Sequence, residues 1–582
     1  MRFLLLPPRR ALLALCFLLA PLSPMAAAEA NAAFEALARE AVEAYLRTHP
    51  ESATALGDHR FDGQLTDYSA DARAAEAKRV RAELTALERI PLAELSVGNR
   101  TDAQILRTQL RLILFSLEEE KPFEWDPLSY NASLGDALFA LIARDFAPPD
   151  VRLGAAVKRL EALPRVLRQI RANLRHPPKI HTETAIRQTA GTIELVRSGL
   201  DPLRAEAPQH EAPFAAAQMN AIKALEQHRT WLQNEVLPHA DGDFRLGAER
   251  FRRKLRLTLD SELTPEEILA AAERELTAAT NALYDTALPL YREAHPSAQP
   301  AQIEDRPHVI RTVFNRLAEK HSDDATVLAR VKEITADATR FVRREELVTL
   351  PDAPLEIIEL PEFQRGVAVA YCDSPGALEP QGKTFYKVSP TPADWTPDRK
   401  ESFFREYNDF MLHDLTIHEA MPGHYVQLAW SNRYRGRTLV RAIWGSGTFV
   451  EGWAVYSERV MADAGYGGPA VRMQQLKMRV RAIINAMLDQ KLHMGALTER
   501  EALSLMMDRG FQEEGEAVGK WRRACQSSTQ LSTYFVGALE HDEMRAAAER
   551  KQGPAFNLKA YHDAVLSRGS PPVRYVREEL GL

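Results

Sequence analysis

The sequence is poor in cysteine, and that bounds its chemistry first. Three cysteines stand in 582 residues, and Cys16 belongs to the apolar start of the chain. The other two, Cys372 and Cys525, are too few for a disulfide framework and lack the spacing of a thiolate metal site, although they could pair in an oxidising compartment. Concentrated positive charge is missing too. The formal net charge is -6, with no basic stripe and no aromatic-basic repeat, which leaves nucleic-acid binding without support. Beyond the start no apolar run is long enough to span a bilayer, so no stable membrane span is expected after processing and the mature chain is expected to be soluble. No repeat of fixed period stands out, and strand-like texture is confined to one short region.

What is present is ordinary globular composition, 45% hydrophobic and 26% charged, at a length that allows more than one domain. Arg2, Arg9 and Arg10 precede an apolar run from Ala11 to Leu22, and Ala26, Ala27 and Ala28 offer small residues for cleavage. This is the layout of a secretory signal peptide over residues 1–28, and it places the protein in the periplasm or outside the cell. Leu15 is too large for the small residue that usually precedes a lipid-modified cysteine, which argues against an anchor on Cys16.

Residues 29–240 read as an N-terminal helical region. Leu106, Leu110, Ile113 and Leu117 show the three- and four-residue apolar spacing of a helix. Proline pairs at Pro148-Pro149 and Pro177-Pro178 break the helices, and Glu206 to Pro213 suits a loop. Residues 241–582 read as a second, catalytic helical region. Thr264, Pro265 and Glu267 have the arrangement of a capping box with proline at the first helical position. Short strands are expected at Leu355–Leu360, Val367–Tyr371 and Thr384–Val388, after which Trp395-Thr396-Pro397 opens a helical stretch leading to His418. The fold class is mostly α with a minor β element at about 355–388.

The chemistry concentrates at His418-Glu419-Ala420-Met421-Pro422-Gly423-His424. Two imidazoles with an adjacent carboxylate are the minimal set for a hydrolytic zinc site, with the imidazoles as ligands and the carboxylate as proton acceptor. The spacing is unusual. Six steps of about 100° each turn His424 about 120° away from His418, so a regular helix cannot aim both at one cation. Pro422 and Gly423 between them are suited to the irregular turn that would. The alternative is a structural His418 on a helix that Pro-Gly merely ends.

Glu451 is the candidate third ligand, and Glu458, seven residues on, shares its helix face and would orient a ligand. Thr448 to Glu451 also fits a capping box, which needs no metal. His413 and Asp414, about one turn before His418, read as a solvated face or as support for the site. Tyr534 is the candidate for stabilising an oxyanion, within a helical stripe of Gln530, Tyr534, Gly537 and His541; Gly537 would allow close backbone approach. An edge strand among Val367–Tyr371 or Thr384–Val388 could pair with an extended peptide, or be a structural hairpin.

Taken together, the His418–His424 motif, Glu451-Gly452-Trp453-Ala454 with Tyr456 and Glu458, and Gln530 with Tyr534 and Gly537 resemble the domain of unknown function 885 family of exported or lipid-anchored bacterial proteins. That family is distantly similar to helical zinc peptidases such as thimet oligopeptidase, neurolysin and the thermostable carboxypeptidases. The resemblance implies a mostly α fold with a deep channel, a small sheet beside a Zn2+ site and a Glu ligand following Phe-Val, the place of Glu451. It also implies tyrosines near the substrate carbonyl, the place of Tyr534. The chain departs from the family where Ser528-Thr529-Gln530 replaces Pro-Gly-Gln and Phe535 replaces a lysine. The expected function is an exported zinc metallopeptidase acting on short peptides. Hydrolysis of a non-peptide amide or ester, and an inactive exported binding protein, are the alternatives. Substrate identity, mode of cleavage and oligomeric state are not readable from the sequence.

Overall fold

A computed structural model describes residues 24–360, 370–393, 395–495 and 497–582. The expected signal segment up to residue 23, and Val367–Val369 of the second expected strand, lie outside the described residues. Ala26, Ala27 and Ala28 fall in the first turns of α1 (Pro24–Thr48).

The architecture is mostly helical, with a single small sheet among the described residues. α2 (Val97–Phe115) buries Leu106 and Leu110 as their spacing requires. α3 (Pro149–Asn173) and α4 (Lys179–Glu194) begin at the two proline pairs, with Pro148 and Pro178 as their capping residues. The loop expected at Glu206–Pro213 is instead a short 3-10 turn, Pro208–His210, leading directly into α5 (Glu211–Trp231). Pro208 and Pro213 sit at the openings of these helical turns, where a missing N–H costs nothing. α6 (Pro265–Ala294) carries the expected capping box, Thr264 Oγ1 accepting from Glu267 N at 3.2 Å and Glu267 Oε2 accepting from Thr264 N at 2.8 Å. α7 (Val327–Arg344) precedes the sheet.

The strands are β1 (Leu355–Glu359), β2 (Ala370–Asp373) and β3 (Thr384–Val388), in the order β1-β3-β2. β3 is central, parallel to β1 and antiparallel to β2, with Cys372 opposite Tyr386. Thr384–Val388 therefore has both edges paired, and the reading of it as an open edge is corrected; among the described residues β1 and β2 are the outer strands. α8 (Pro397–Glu406) starts on the Thr396 cap as expected, but Asn408 caps a separate helix, α9 (Asp409–Glu419), which carries His418. The remaining helices used below are α10 (His424–Ser431), α11 (Gly447–Asp463), α12 (Gly468–Met494), α13 (Glu514–Gln526) and α14 (Ser532–Gln552).

Among the described residues the buried side chains form four clusters. One joins α6 to α12, α13 and the start of α14. A second surrounds the motif, packing α7, the sheet, Ile417, Met421, Tyr425, Phe449, Trp453 and Tyr456 together. A third lies among α3, α4 and α5. The fourth joins α1 and α2 to Val440, Trp444 and Tyr575, so the first helices share a core with the end of the chain.

Candidate metal centre

The Pro422-Gly423 step makes the turn that two imidazoles on one cation require. α9 stops at Glu419, and the chain folds back on its last turn: Ala420 N and Met421 N both donate to Thr416 O, and Gly423 N donates to Ile417 O at 2.9 Å. The Met421–Pro422 peptide is cis. A Cβ on residue 423 would stand 1.9 Å from the His418 carbonyl oxygen, so the close approach admits only glycine. Trp453 Nε1 donates to Pro422 O at 2.9 Å and ties the turn to α11. α10 then starts at His424, and the two imidazole rings stand nearly perpendicular with centroids 4.7 Å apart.

α11 supplies the carboxylates. Glu451 Oε2 lies 3.7 Å from His418 Nε2 and 3.5 Å from His424 Nε2. One ligand atom from each of His418, His424 and Glu451 falls within 4.8 Å of the others. Glu458 Oε1 is 2.6 Å from His418 Nδ1, so the seven-residue step sets a carboxylate against each nitrogen of that ring. The partner on Nδ1 leaves Nε2 to face Glu451. Ser446, not Thr448, caps α11, and Thr448 Oγ1 donates to Leu259 O; the capping-box reading of Glu451 is corrected.

These residues fit a zinc ion. Two imidazole nitrogens and a carboxylate oxygen converge, and Glu451 Oε2 is buried with no hydrogen-bond partner among the described residues. The imidazoles are 12% exposed and the Glu451 side chain 22%, so the centre is partly accessible to solvent. Burial opposes its charge, yet the two imidazoles hold the Glu451 carboxyl well below the usual range. Burial likewise opposes protonation of His418, while Glu451 and Glu458 lift it well above the ordinary histidine value.

Glu419, buried beside the pair, accepts the N–H of Cys372 at 3.0 Å from the outer edge of β2. Burial raises its pKa, against the pull of His418 and His424. Tyr386 Oη and Thr416 Oγ1, 3.2 Å apart, fix α9 on the sheet. Cys372 and Cys525 are both free thiols.

The other expected site residues fall less uniformly. Gly537 does meet a neighbouring backbone: α11 and α14 touch at Gly452 and Gly537, where a Cβ on Gly537 would lie 2.0 Å from Thr448 O. Gln530 precedes α14 rather than lying on it, and its Nε2 donates to Tyr534 Oη at 3.2 Å. His541 is turned inward, its Nε2 3.2 Å from Phe449 O and its ring among Phe449, Trp453 and Tyr456. It supports the ring that pins the turn and does not touch the imidazole pair. Asp414 is not on a solvated face: it is buried, its carboxylate oxygens without hydrogen-bond partners among the described residues, in the field of Glu458 and His418. Its position one turn before His418 was the available signal. His413 Nδ1 lies 2.9 Å from Tyr466 Oη, away from the centre. Trp453 entered the sequence reading only as part of the family motif, and the Cys372 N–H and Arg523, which donates to Tyr534 Oη at 3.2 Å, were not singled out from the sequence. A cavity of about 470 Å³ opens between α1 and residues 437–439 and contains none of the candidate ligands.

Fold and centre together define a mostly helical protein with a His-His-Glu cluster beside a three-stranded sheet. Residues 50–580 match the family described as bacterial protein of unknown function (DUF885), and the chain belongs to that family. A candidate lipoprotein of unknown function from Shewanella oneidensis is 31% identical over 96% of this chain and 100% of its own, with a TM-score of 0.79. A candidate lipoprotein from Colwellia psychrerythraea shares the fold at 16% identity and a TM-score of 0.76, over 96% of this chain and 98% of its own. No curated protein matches the sequence.

Proposed function

We propose that the protein is an exported zinc-dependent hydrolase of peptide bonds, with His418 Nε2, His424 Nε2 and Glu451 holding the metal. The observation that carries this reading is the convergence of those three groups with Glu419 alongside. A zinc ion held there supplies Lewis acidity, polarising a carbonyl and easing loss of a proton from water. Glu419 accepts that proton, a role suited to a carboxylate whose pKa burial raises. The Cys372 N–H fixes which way the Glu419 carboxylate faces. Glu458 holds the tautomer and tilt of His418. Tyr534 donates a hydrogen bond through its hydroxyl to the carbonyl oxygen as negative charge develops there. The outer edge of β2 offers backbone groups to an extended substrate. Export is supported by the signal-like layout of residues 1–28 and by relatives that are candidate lipoproteins.

Glu419→Gln tests the assignment. Zinc content measured by elemental analysis should be unchanged, while turnover of a mixed short-peptide pool should fall by about 100-fold or more. Turnover within a few-fold of wild type in the zinc-loaded variant would remove the mechanism. An amide or ester panel run beside the peptides separates this reading from a non-peptide hydrolase.

A further inference from the structure

Near Tyr534 stand two basic side chains, Lys520 and Arg523, that have no carboxylate partner among the described residues. On α13, Glu516, Lys520 and Arg523 follow at four- and three-residue steps and share one face. Glu516 is already engaged: its carboxylate pairs with Arg481 of α12 and accepts from Tyr407 Oη. Lys520 is only 7% exposed and makes no hydrogen bond or ion pair among the described residues. Burial depresses its pKa first, and the two charges it feels, Arg481 and Arg523, carry its own sign. Arg523 has no carboxylate partner among the described residues. Its Nη2 donates to Gln530 Oε1 at 3.0 Å and to Tyr534 Oη at 3.2 Å. A buried ammonium beside guanidinium groups is costly unless an anion completes it.

Helix geometry relates the cluster to the candidate centre by way of Tyr534. α11 and α14 run parallel along their seam, with Gly447 near Thr533, Gly452 on Gly537 and Phe449 O at His541. At about 100° per residue, Glu451 and Tyr534 turn out of that seam toward the same side. The hydroxyl of Tyr534 touches Arg523. On that geometry Glu451 and Tyr534 face one way, and Tyr534 in turn touches Arg523, which shares its helix face with Lys520.

We propose that Lys520 and Arg523 form an anionic subsite that receives the free α-carboxylate of a peptide, placing the scissile bond near the substrate's C-terminus. This rests on the hydrolytic reading above and gives it a substrate class. A guanidinium fork matches a carboxylate in shape and charge, and every unmodified peptide carries one α-carboxylate. Gln530 and Tyr534 hold the guanidinium in place, so carboxylate binding and positioning of the phenol are coupled.

The test uses the zinc-loaded full-length protein and N-acetylated tetrapeptides of randomised sequence, prepared as free acids, as C-terminal amides, and as amides ending in glutamate. Two quantities are read: kcat/KM, and direct binding to the Glu419→Gln variant by saturation-transfer NMR. Free acids should exceed both amide sets at least tenfold in each, the scale of a charge-assisted contact. Arg523→Gln and Lys520→Met should bring the acid-to-amide ratio below threefold, whereas a merely structural defect lowers both terms together. Arg523 is exposed, so Arg523→Gln keeps the test decisive should Lys520→Met fail to fold. Equal handling of acids and amides, absence of binding by any set, or a ratio preserved in Arg523→Gln overturns the proposal. Equal preference for glutamate-ending amides and free acids overturns the α-carboxylate assignment. Tenfold selective binding without hydrolysis keeps the subsite and rejects the peptidase reading.

Discussion

Gly423 is where a single missing atom decides the geometry. Its N–H closes on Ile417 O, and the His418 carbonyl occupies the space a methyl group would need. The six-residue spacing of the histidines, awkward for a helix, becomes serviceable because this backbone contact folds the chain back. Gly423→Ala is expected to destabilise the fold by about 3 kcal/mol, the upper end of overpacking costs, and to weaken zinc binding at least tenfold. Denaturant unfolding of the metal-free protein and competition with a chelator check the two parts; an alanine variant with wild-type stability and affinity would show that the contact relaxes at little cost. The residues around this turn were readable to different depths. Residue type and spacing singled out His418, Glu419, His424, Glu451 and Glu458, and the structure brings the two imidazoles and the two α11 carboxylates together. Trp453 reaches Pro422 through an indole N–H, and nothing in an apolar helix stripe distinguishes that ring from core filling. Nothing in the sequence marks Lys520, since burial of a charge is a tertiary fact.

At the scale of elements, the helix pair α11 and α14 sets the depth at which Glu451 is presented. Gly452 and Gly537 let two backbones approach more closely than side chains allow. Gly537→Ala should force the helices apart, lowering stability by about 1–3 kcal/mol and zinc affinity with it. Equilibrium unfolding and metal titration of the same samples check this, and loss of stability with zinc affinity intact would uncouple the seam from the centre. Local chemistry made some elements readable: the Thr264 cap, the proline starts of α3 and α4, and the strand texture before the motif. It failed where pairing or tertiary contact decides. The order β1-β3-β2 puts the best strand in the middle, and strand propensity carries no information on edges. Asn408 divides α8 from α9 by accepting from Phe410 N and Met411 N, a cap hidden inside what read as one helical run. Thr529 takes a left-handed conformation, φ 68°, where the family resemblance leads one to expect glycine; Asp489 accepts its N–H at 2.9 Å and holds the bend that launches α14.

On the scale of the whole molecule, the first helices and the last share a core, since α1 and α2 pack on Val440, Trp444 and Tyr575. A buried ion pair locks that junction. Arg441 Nε donates to Asp102 Oδ1 at 2.6 Å, Thr438 Oγ1 donates to Asp102 Oδ2, and Arg441 Nη2 also reaches Gly98 O and Glu579. Removing one partner strands a buried charge, so Asp102→Ala should cost about 3–5 kcal/mol. The check is the denaturation midpoint, with unfolding followed both near Trp444 and in the C-terminal helices. A single lowered transition fits the shared core, whereas unchanged stability would mean that solvent reaches Arg441. The account as a whole turns on one cation at His418, His424 and Glu451. Anomalous diffraction from zinc-loaded crystals, recorded on both sides of the zinc absorption edge, addresses it directly. The expected result is one strong peak about 2.0–2.2 Å from His418 Nε2, His424 Nε2 and a Glu451 oxygen. Zinc-loaded crystals with no peak there, or with the peak on other residues, would contradict it.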